Sequence, residues 1–275
     1  MFKIGLTIWS LGLTSTYENL LNQLKLSKEI GVNGVQLWCV DYGVNNTCLL
    51  DPERCDRSCR KEIREIIDSY ELEISGFCAQ LSSPNRFGGF DDPEGLEERI
   101  QKTKKALELS VEMESPIVTT HPGRIPEDKS DPRYKIIFNS VREIATFAED
   151  IGAYFCIETG MEPAKILKNF ILEIGSEGLK VNFDPANLLR FGVSEVINGV
   201  KILGPWIVHT HAKDYNPKTK LATVGKGLVP WKEYLRELRN QGYNGWLVLE
   251  DETGKDVVDS LIYGRSFLEK TIKEL

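Results

Sequence analysis

A single (β/α)8 barrel over residues 1–275, an α/β fold, is the architecture this sequence predicts. Eight short β-branched or aromatic runs alternate with eight amphipathic stretches, the pattern of parallel strands joined by crossover helices. Glycines that suit a helix end, Gly31, Gly152, Gly204 and Gly242, stand before several of the runs. Conspicuous polar residues follow the runs directly, on the side where barrels of this kind carry their chemistry. A chain of 275 residues with 41% hydrophobic content can bury one large core. The competing architecture is a doubly wound open sheet, but no GxGxxG follows the first run and no P-loop occurs.

The first strand is expected over residues 2–8. The next helix carries Leu20, Leu21, Leu24 and Ile30 on one side, with Ser15 or Thr16 as its cap and Gly31 as its stop. A second strand over 34–37 leads through a long loop to a helix with Ile63, Ile66, Ile67 and Tyr70 in register. The third strand, 74–77, precedes a Ser/Pro/Gly loop and a helix through Leu96, Ile100, Thr103 and Leu107. The fourth, 117–120, ends at His121-Pro122-Gly123 and precedes a helix over 136–148. Strands five to eight are expected over 154–157, 179–183, 207–210 and 246–249, with helices over 164–172, 194–203, 231–241 and 257–270. Loops 45–54, 82–93 and 124–132 are long enough to form lids or binding surfaces.

A net charge of −7 argues against a nucleic-acid partner, since phosphate contacts need a basic surface. Neither a signal-peptide pattern nor a bilayer-length apolar run is present, so a cytoplasmic protein with no membrane partner is expected. Of the six cysteines, Cys78 and Cys156 fall in strands, while Cys39, Cys48, Cys55 and Cys59 cluster upstream. Their spacing does not match paired CxxC zinc ligands, and Cys55 and Cys59 read as two residues on one face of a helix.

Four metal-seeking residues end the last four strands: Glu158, Asp184, His211 and Glu250, spaced by 26, 27 and 39 residues. Neighbouring parallel strands would bring three carboxylates and one imidazole to the same open end. Such a set suits Mn²⁺, Zn²⁺, Co²⁺ or Fe²⁺ rather than a thiolate site, and one divalent ion, of Mn, Zn, Co or Mg, is expected. The plainer alternative is structural ion pairing, with Lys213 or Arg190 as partner. All three histidines sit at strand ends, and period-two alternation places His209 and His211 on one face with His209 deeper. His121, His209, Lys213, Asn187, Trp9 and Gln36 are the candidates for substrate contact. Trp9 could stack on a substrate ring, although packing is the commoner role for such an aromatic.

At Gly34-Val35-Gln36-Leu37, His121-Pro122-Gly123, Ile157-Glu158, Phe183-Asp184-x-x-Asn187, His209-x-His211-x-Lys213-Asp214, Gly225-x-Gly227 before Pro230-Trp231, and Leu249-Glu250, the chain resembles the sugar phosphate isomerase/epimerase family. These are the xylose isomerase-like TIM barrels, and the resemblance spans essentially the whole chain. It implies one divalent metal held by Glu158, Asp184, His211 and Glu250. It also implies proton abstraction beside a carbonyl through an enediolate, with Glu158 and Glu250 as paired bases on opposite faces of a sugar, ketose or polyol. Loss of a β-hydroxyl from the same enolate would make a dehydratase of the inosose or 3-dehydroshikimate type. A barrel that binds a polyol or metal without turnover is the alternative of another class, and a Lys213 Schiff-base aldolase ranks lower. Relatives are often dimers or tetramers, so a homo-oligomer is compatible. An endonuclease IV-like role fits poorly, because the histidine-rich zinc cluster of those enzymes has no counterpart among three histidines. Where the second-strand motif usually ends in Glu, this chain has Gln36.

Overall fold

Eight parallel strands close on themselves in chain order, β1 pairing with both β2 and β8. The computed structural model describes residues 2–40, 48–81, 89–253 and 256–275. The strands are β1 (Lys3–Thr7), β2 (Gly34–Trp38), β3 (Glu73–Cys78), β4 (Ile117–Thr120), β5 (Tyr154–Glu158), β6 (Leu179–Phe183), β7 (Ile207–Ala212) and β8 (Trp246–Leu249). The helices are α1 (Tyr17–Ile30), α2 (Arg57–Ser69), α3 (Leu96–Glu112), α4 (Pro132–Asp150), α5 (Ala164–Ile174), α6 (Pro185–Phe191), α7 (Val196–Leu203), α8 (Trp231–Asn240) and α9 (Val257–Lys273). The closed (β/α)8 barrel is therefore as expected. Among the described residues no helix is long and apolar enough to cross a membrane.

Local chemistry explains the element ends. The Thr16 side chain accepts from the Asn19 N–H to cap α1, and Gly31, left-handed at φ 85°, ends it. Asp131 caps α4 with Pro132 in its first turn, so this helix starts before the expected residue 136. Leu21 is 40% exposed rather than core-facing, a correction to the expected apolar stripe of α1; Leu20, Leu24 and Ile30 carry the packing. Gly204 has right-handed helical dihedrals and opens a short 3-10 turn instead of acting as a left-handed stop. An additional short helix, α6, follows β6 directly.

Cys55 and Cys59 do not share a helical face. Asp56 accepts from the Cys59 N–H and starts α2 at Arg57, which leaves Cys55 in the preceding turn. Their Cα atoms are 5.3 Å apart and the two are joined as a disulfide. Cys39, Cys48, Cys78 and Cys156 are buried.

Two strands carry one extra residue each, and both irregularities lie beside residues that matter for the site. Register slips between Val35 and Gln36 where β2 meets β3, and between Val181 and Asn182 where β6 meets β7. Such bulges re-aim side chains next to functional sites. Here Gln36 pairs with Thr7 and Gly76, and Asn182 with Glu158 and His209. Paired residues share a pleat level, so these side chains turn to the same face, the barrel interior.

Candidate active site

Glu158 ends β5, Asp184 follows β6 as the cap of α6, His211 lies near the end of β7, and Glu250 follows β8. All four are buried, and each offers one ligand atom within 4.8 Å of those of the other three. The sequence-predicted cluster is therefore brought together at one end of the barrel.

Asp184, Glu250 and His211 are each held through one atom and turn another to the centre, while Glu158 is held at both oxygens. Asp184 Oδ1 accepts from the backbone N–H groups of Ala186 and Asn187, at 2.8 and 3.0 Å, while Oδ2 has no hydrogen-bond partner among the described residues. Glu250 Oε1 accepts from the Trp9 indole N–H at 2.9 Å, while Oε2 has no hydrogen bond and lies 3.2 Å from the Lys213 Nζ. His211 Nε2 lies 2.8 Å from Gln36 Oε1, and its Nδ1, without a hydrogen-bond partner, faces Glu158 at 3.4 Å and Glu250 at 3.3 Å. Glu158 is gripped at both oxygens, by Asn187 at 3.0 Å and Asn182 at 3.2 Å. Gly160 makes the Asn187 contact feasible: its φ is 130°, and a Cβ there would come within 2.4 Å of the Asn187 Cβ.

Buried polar atoms without hydrogen bonds are costly, and three meet here: Asp184 Oδ2, and His211 Nδ1 and Glu250 Oε2, which have only charged neighbours at 3.2–3.4 Å. Three carboxylates and an imidazole are donors suited to a hard or borderline divalent ion. Bonds of about 2.0–2.2 Å would hold two donors at most about 4.4 Å apart, so an ion requires only a small inward shift. The residues fit such a group.

Charge in the cluster is divided unequally. Burial raises the Glu158 carboxyl, but His121 and His211 beside it prevail and hold it well below its ordinary value. Burial likewise opposes ionised Glu250, yet Lys213 and His211 bring it down to about 2. At Asp184 burial wins over Lys213, with Glu158 and Glu250 adding repulsion, and its pKa rises to about 7. Burial disfavours the cationic forms of His211 and Lys213, but the surrounding carboxylates raise both. Lys213 also pairs with Glu252 at 2.7 Å. An ammonium so paired is a poor Schiff-base nucleophile. The ion pair with Lys213 that the sequence offers as an alternative does exist at Glu250, alongside the four-residue cluster. Arg190 lies elsewhere, against the Phe191 ring.

A cavity of about 400 Å³ opens above the cluster. Its lining divides into an ionic side, with His121, Glu158, His211, Lys213, Glu250 and Glu252, and a largely apolar side that includes Trp9, Leu13, Trp38, Cys48 and Cys78. Of the residues expected to meet substrate, Trp9, His121 and Lys213 line this cavity. Gln36, Asn187 and His209 are buried behind it: Gln36 on His211, Asn187 on Glu158, and His209 Nδ1 2.9 Å from Asn182 Oδ1. Sequence reasoning missed Asn182, Glu252 and Trp38. Asn182 and Glu252 stand two residues from Asp184 and Glu250, so strand parity was the available signal. Residues 45–47 and 82–88 of the expected specificity loops lie outside the described residues.

Below Lys213, the Asp214 carboxylate accepts from the backbone N–H groups of Tyr215, Gly225, Gly227 and Val229 and from the Trp231 indole, at 2.8–3.1 Å. Gly227 is required there, because a Cβ would collide with the Asp214 carboxylate. This single side chain folds the loop after β7 back onto the start of α8.

The fold and this cluster can be set beside known proteins. An uncharacterised protein of Methanocaldococcus jannaschii is 29% identical over 227 residues, covering 76% of this chain and 74% of its own. A D-psicose 3-epimerase of Ruminiclostridium cellulolyticum is 29% identical over 118 residues, 40% of this chain and 39% of the relative. Among solved structures, a xylose isomerase domain protein from Planctomyces limnophilus superposes with a TM-score of 0.82 at 21% identity, covering 99% and 98% of the two chains. The family model described as "Xylose isomerase-like TIM barrel" matches residues 24–271, nearly the whole of a closed barrel whose strand ends carry the cluster, and the chain belongs to that family.

Proposed function

We propose that the protein is a divalent-metal-dependent isomerase or epimerase acting on a sugar, ketose or related polyol. The observation that carries this reading is the convergence of Asp184 Oδ2, His211 Nδ1 and Glu250 Oε2, all buried and without a hydrogen bond among the described residues, beside Glu158 on the floor of a substrate-sized cavity. The similarity to a D-psicose 3-epimerase supports it. Glu158, Asp184, His211 and Glu250 would hold one ion, of Mn, Zn, Co or Mg. A bound ion supplies Lewis acidity for a substrate carbonyl and its neighbouring hydroxyl.

The remaining work falls to side chains. Glu158 and Glu250 come from β5 and β8, and both carboxyls are held ionised, as a base that accepts a carbon-bound proton must be. One takes the proton adjacent to the carbonyl and the other returns it on the opposite face. His121 and Lys213 line the cavity and are placed to orient hydroxyls. Lys213, cationic and beside Glu250, also suits protonation of a departing hydroxyl, which keeps a dehydratase as the second reading.

Plasma mass spectrometry of wild type and His211→Ala is the first test. About one equivalent of a divalent metal is expected in wild type and less than about a tenth in the variant. Ketoses and inososes are then screened in D2O. Deuterium at the carbon beside the carbonyl with inverted or shifted product supports the isomerase reading, and loss of water supports the dehydratase. Binding without exchange would leave a non-catalytic barrel, and no metal uptake from added Mn²⁺ or Zn²⁺ would overturn the site.

A further inference from the structure

Gln36 is fully buried and does not reach the cavity, so it is unsuited to the substrate contact its strand-end position suggests. Its amide lies instead in a chain of hydrogen bonds that crosses the barrel from β3 to β7. The Thr119 hydroxyl donates to the Phe77 carbonyl at 3.4 Å. The Thr119 oxygen accepts from Gln36 Nε2 at 2.9 Å. The amide orientation is thereby set, and its Oε1, which can only accept, faces His211 Nε2 at 2.8 Å. His211 Nε2 must therefore carry a hydrogen, and Nδ1 is the nitrogen left to face Glu158 and Glu250.

We infer that Gln36 is a positioning residue for His211: it selects the Nε2–H form and fixes the ring plane, so that the Nδ1 lone pair is the one presented to a divalent ion. This rests on the metal-site reading above. A ligand imidazole is commonly oriented through its second nitrogen in this way. The partner here is an uncharged amide, so orientation comes without a fourth negative charge beside three carboxylates. The register shift opposite Val35 and Gln36, where β3 carries Ser75 as the extra residue, is the backbone feature that accompanies this placement.

Two substitutions separate positioning from packing. Gln36→Leu keeps bulk but cannot accept, and Gln36→Glu keeps an acceptor oxygen in the same place. By isothermal titration with Mn²⁺, Gln36→Leu is expected to bind about 10- to 100-fold more weakly than wild type, whereas Gln36→Glu binds at least as tightly as wild type. Equal affinity in wild type and Gln36→Leu overturns the proposal, as does equal loss in both variants. Should Gln36→Leu not fold, the ¹⁵N-histidine spectrum of the Zn²⁺-loaded wild type decides, with a proton expected on His211 Nε2 and metal on Nδ1; the reverse overturns the proposal. If wild type binds no ion at all, the metal-site reading fails on its own. The role of Gln36 is then decided by crystal structures of the ion-free proteins: a His211 ring that turns in Gln36→Leu and holds in Gln36→Glu supports it, and an unchanged ring in both refutes it.

Discussion

The two sides of the barrel mouth differ in what they offer the cavity and agree in what they do for the cluster. Strands β5 to β8 deliver all four candidate ligands, together with Lys213. From β1 to β3 and their loops come Trp9, Leu13, Trp38, Cys48 and Cys78, a wall with little chemistry of its own. Yet two of the four ligands meet support from that quieter side: Trp9 donates to Glu250, and Gln36 Oε1 lies 2.8 Å from His211 Nε2. The other two, Glu158 and Asp184, are held by Asn182, Asn187 and backbone N–H groups of their own half. The division is therefore one of exposed surface, and the support of the site runs across the barrel.

The largest effect is expected from the ionic half. Glu158→Gln and Glu250→Gln should each lower turnover of a ketose by about 10²- to 10⁴-fold, with metal content retained in elemental analysis. Full activity in either variant would break the paired-base assignment.

A smaller effect should separate the two tryptophans of the opposite wall. Trp9→Phe keeps an aromatic ring but removes the N–H that Glu250 Oε1 accepts. A buried acceptor left without its donor costs about 1–3 kcal/mol, so kcat/KM should fall by about 5- to 150-fold. Trp38, whose ring meets Trp9 edge-on at 5.2 Å, has no bond to the cluster, and Trp38→Phe should change kcat/KM by less than about threefold. Equal effects in steady-state kinetics would mean that Trp9 serves only as wall.

The mildest test works by pH. The Asp184 carboxyl is raised from 3.8 to about 7 in the ion-free protein, chiefly by burial. A raised acid contributes stability that is fully present below its unfolded value and is lost as pH rises through about 7. Glu250 behaves oppositely: brought from 4.5 down to about 2, it contributes stability above 4.5 that disappears as pH falls towards 2. An ion needs Asp184 ionised. Added Mn²⁺ should therefore raise Tm by more at about pH 8 than at about pH 6 in thermal melts. A larger shift at the lower pH would show that Asp184 is not a ligand.

The strands are readable in the sequence because each is a short apolar run closed by turn chemistry, and the four candidate ligands stand where those runs end. Helix α6 is not readable: its seven residues from Pro185 are too few for a period, and Asp184-Pro185 looks the same in a turn. Trp9 and Gln36 stand out as polar or aromatic residues near strand ends, but their partners are 241 and 175 residues away. No local pattern reports such a distance, so neither the Trp9–Glu250 bond nor the Gln36–His211 contact could be read, although Trp9 does line the cavity. The Cys55–Cys59 disulfide escapes notice for a different reason, since its geometry depends on where α2 starts, and Asp56 decides that.

The Asp214 carboxylate has a consequence for how this chain could change length. It binds Tyr215 at one end of the loop after β7 and Gly225, Gly227 and Val229 at the other, and so closes the base of that loop like a clasp. The cost of lengthening a loop grows only slowly with the number of added residues once its ends are fixed. Chain inserted between Asn216 and Lys220 would leave Lys213 and His211 where they are. The tip of this loop is thus a graft point, where a new segment could be hung over the barrel mouth without disturbing the residues beneath it.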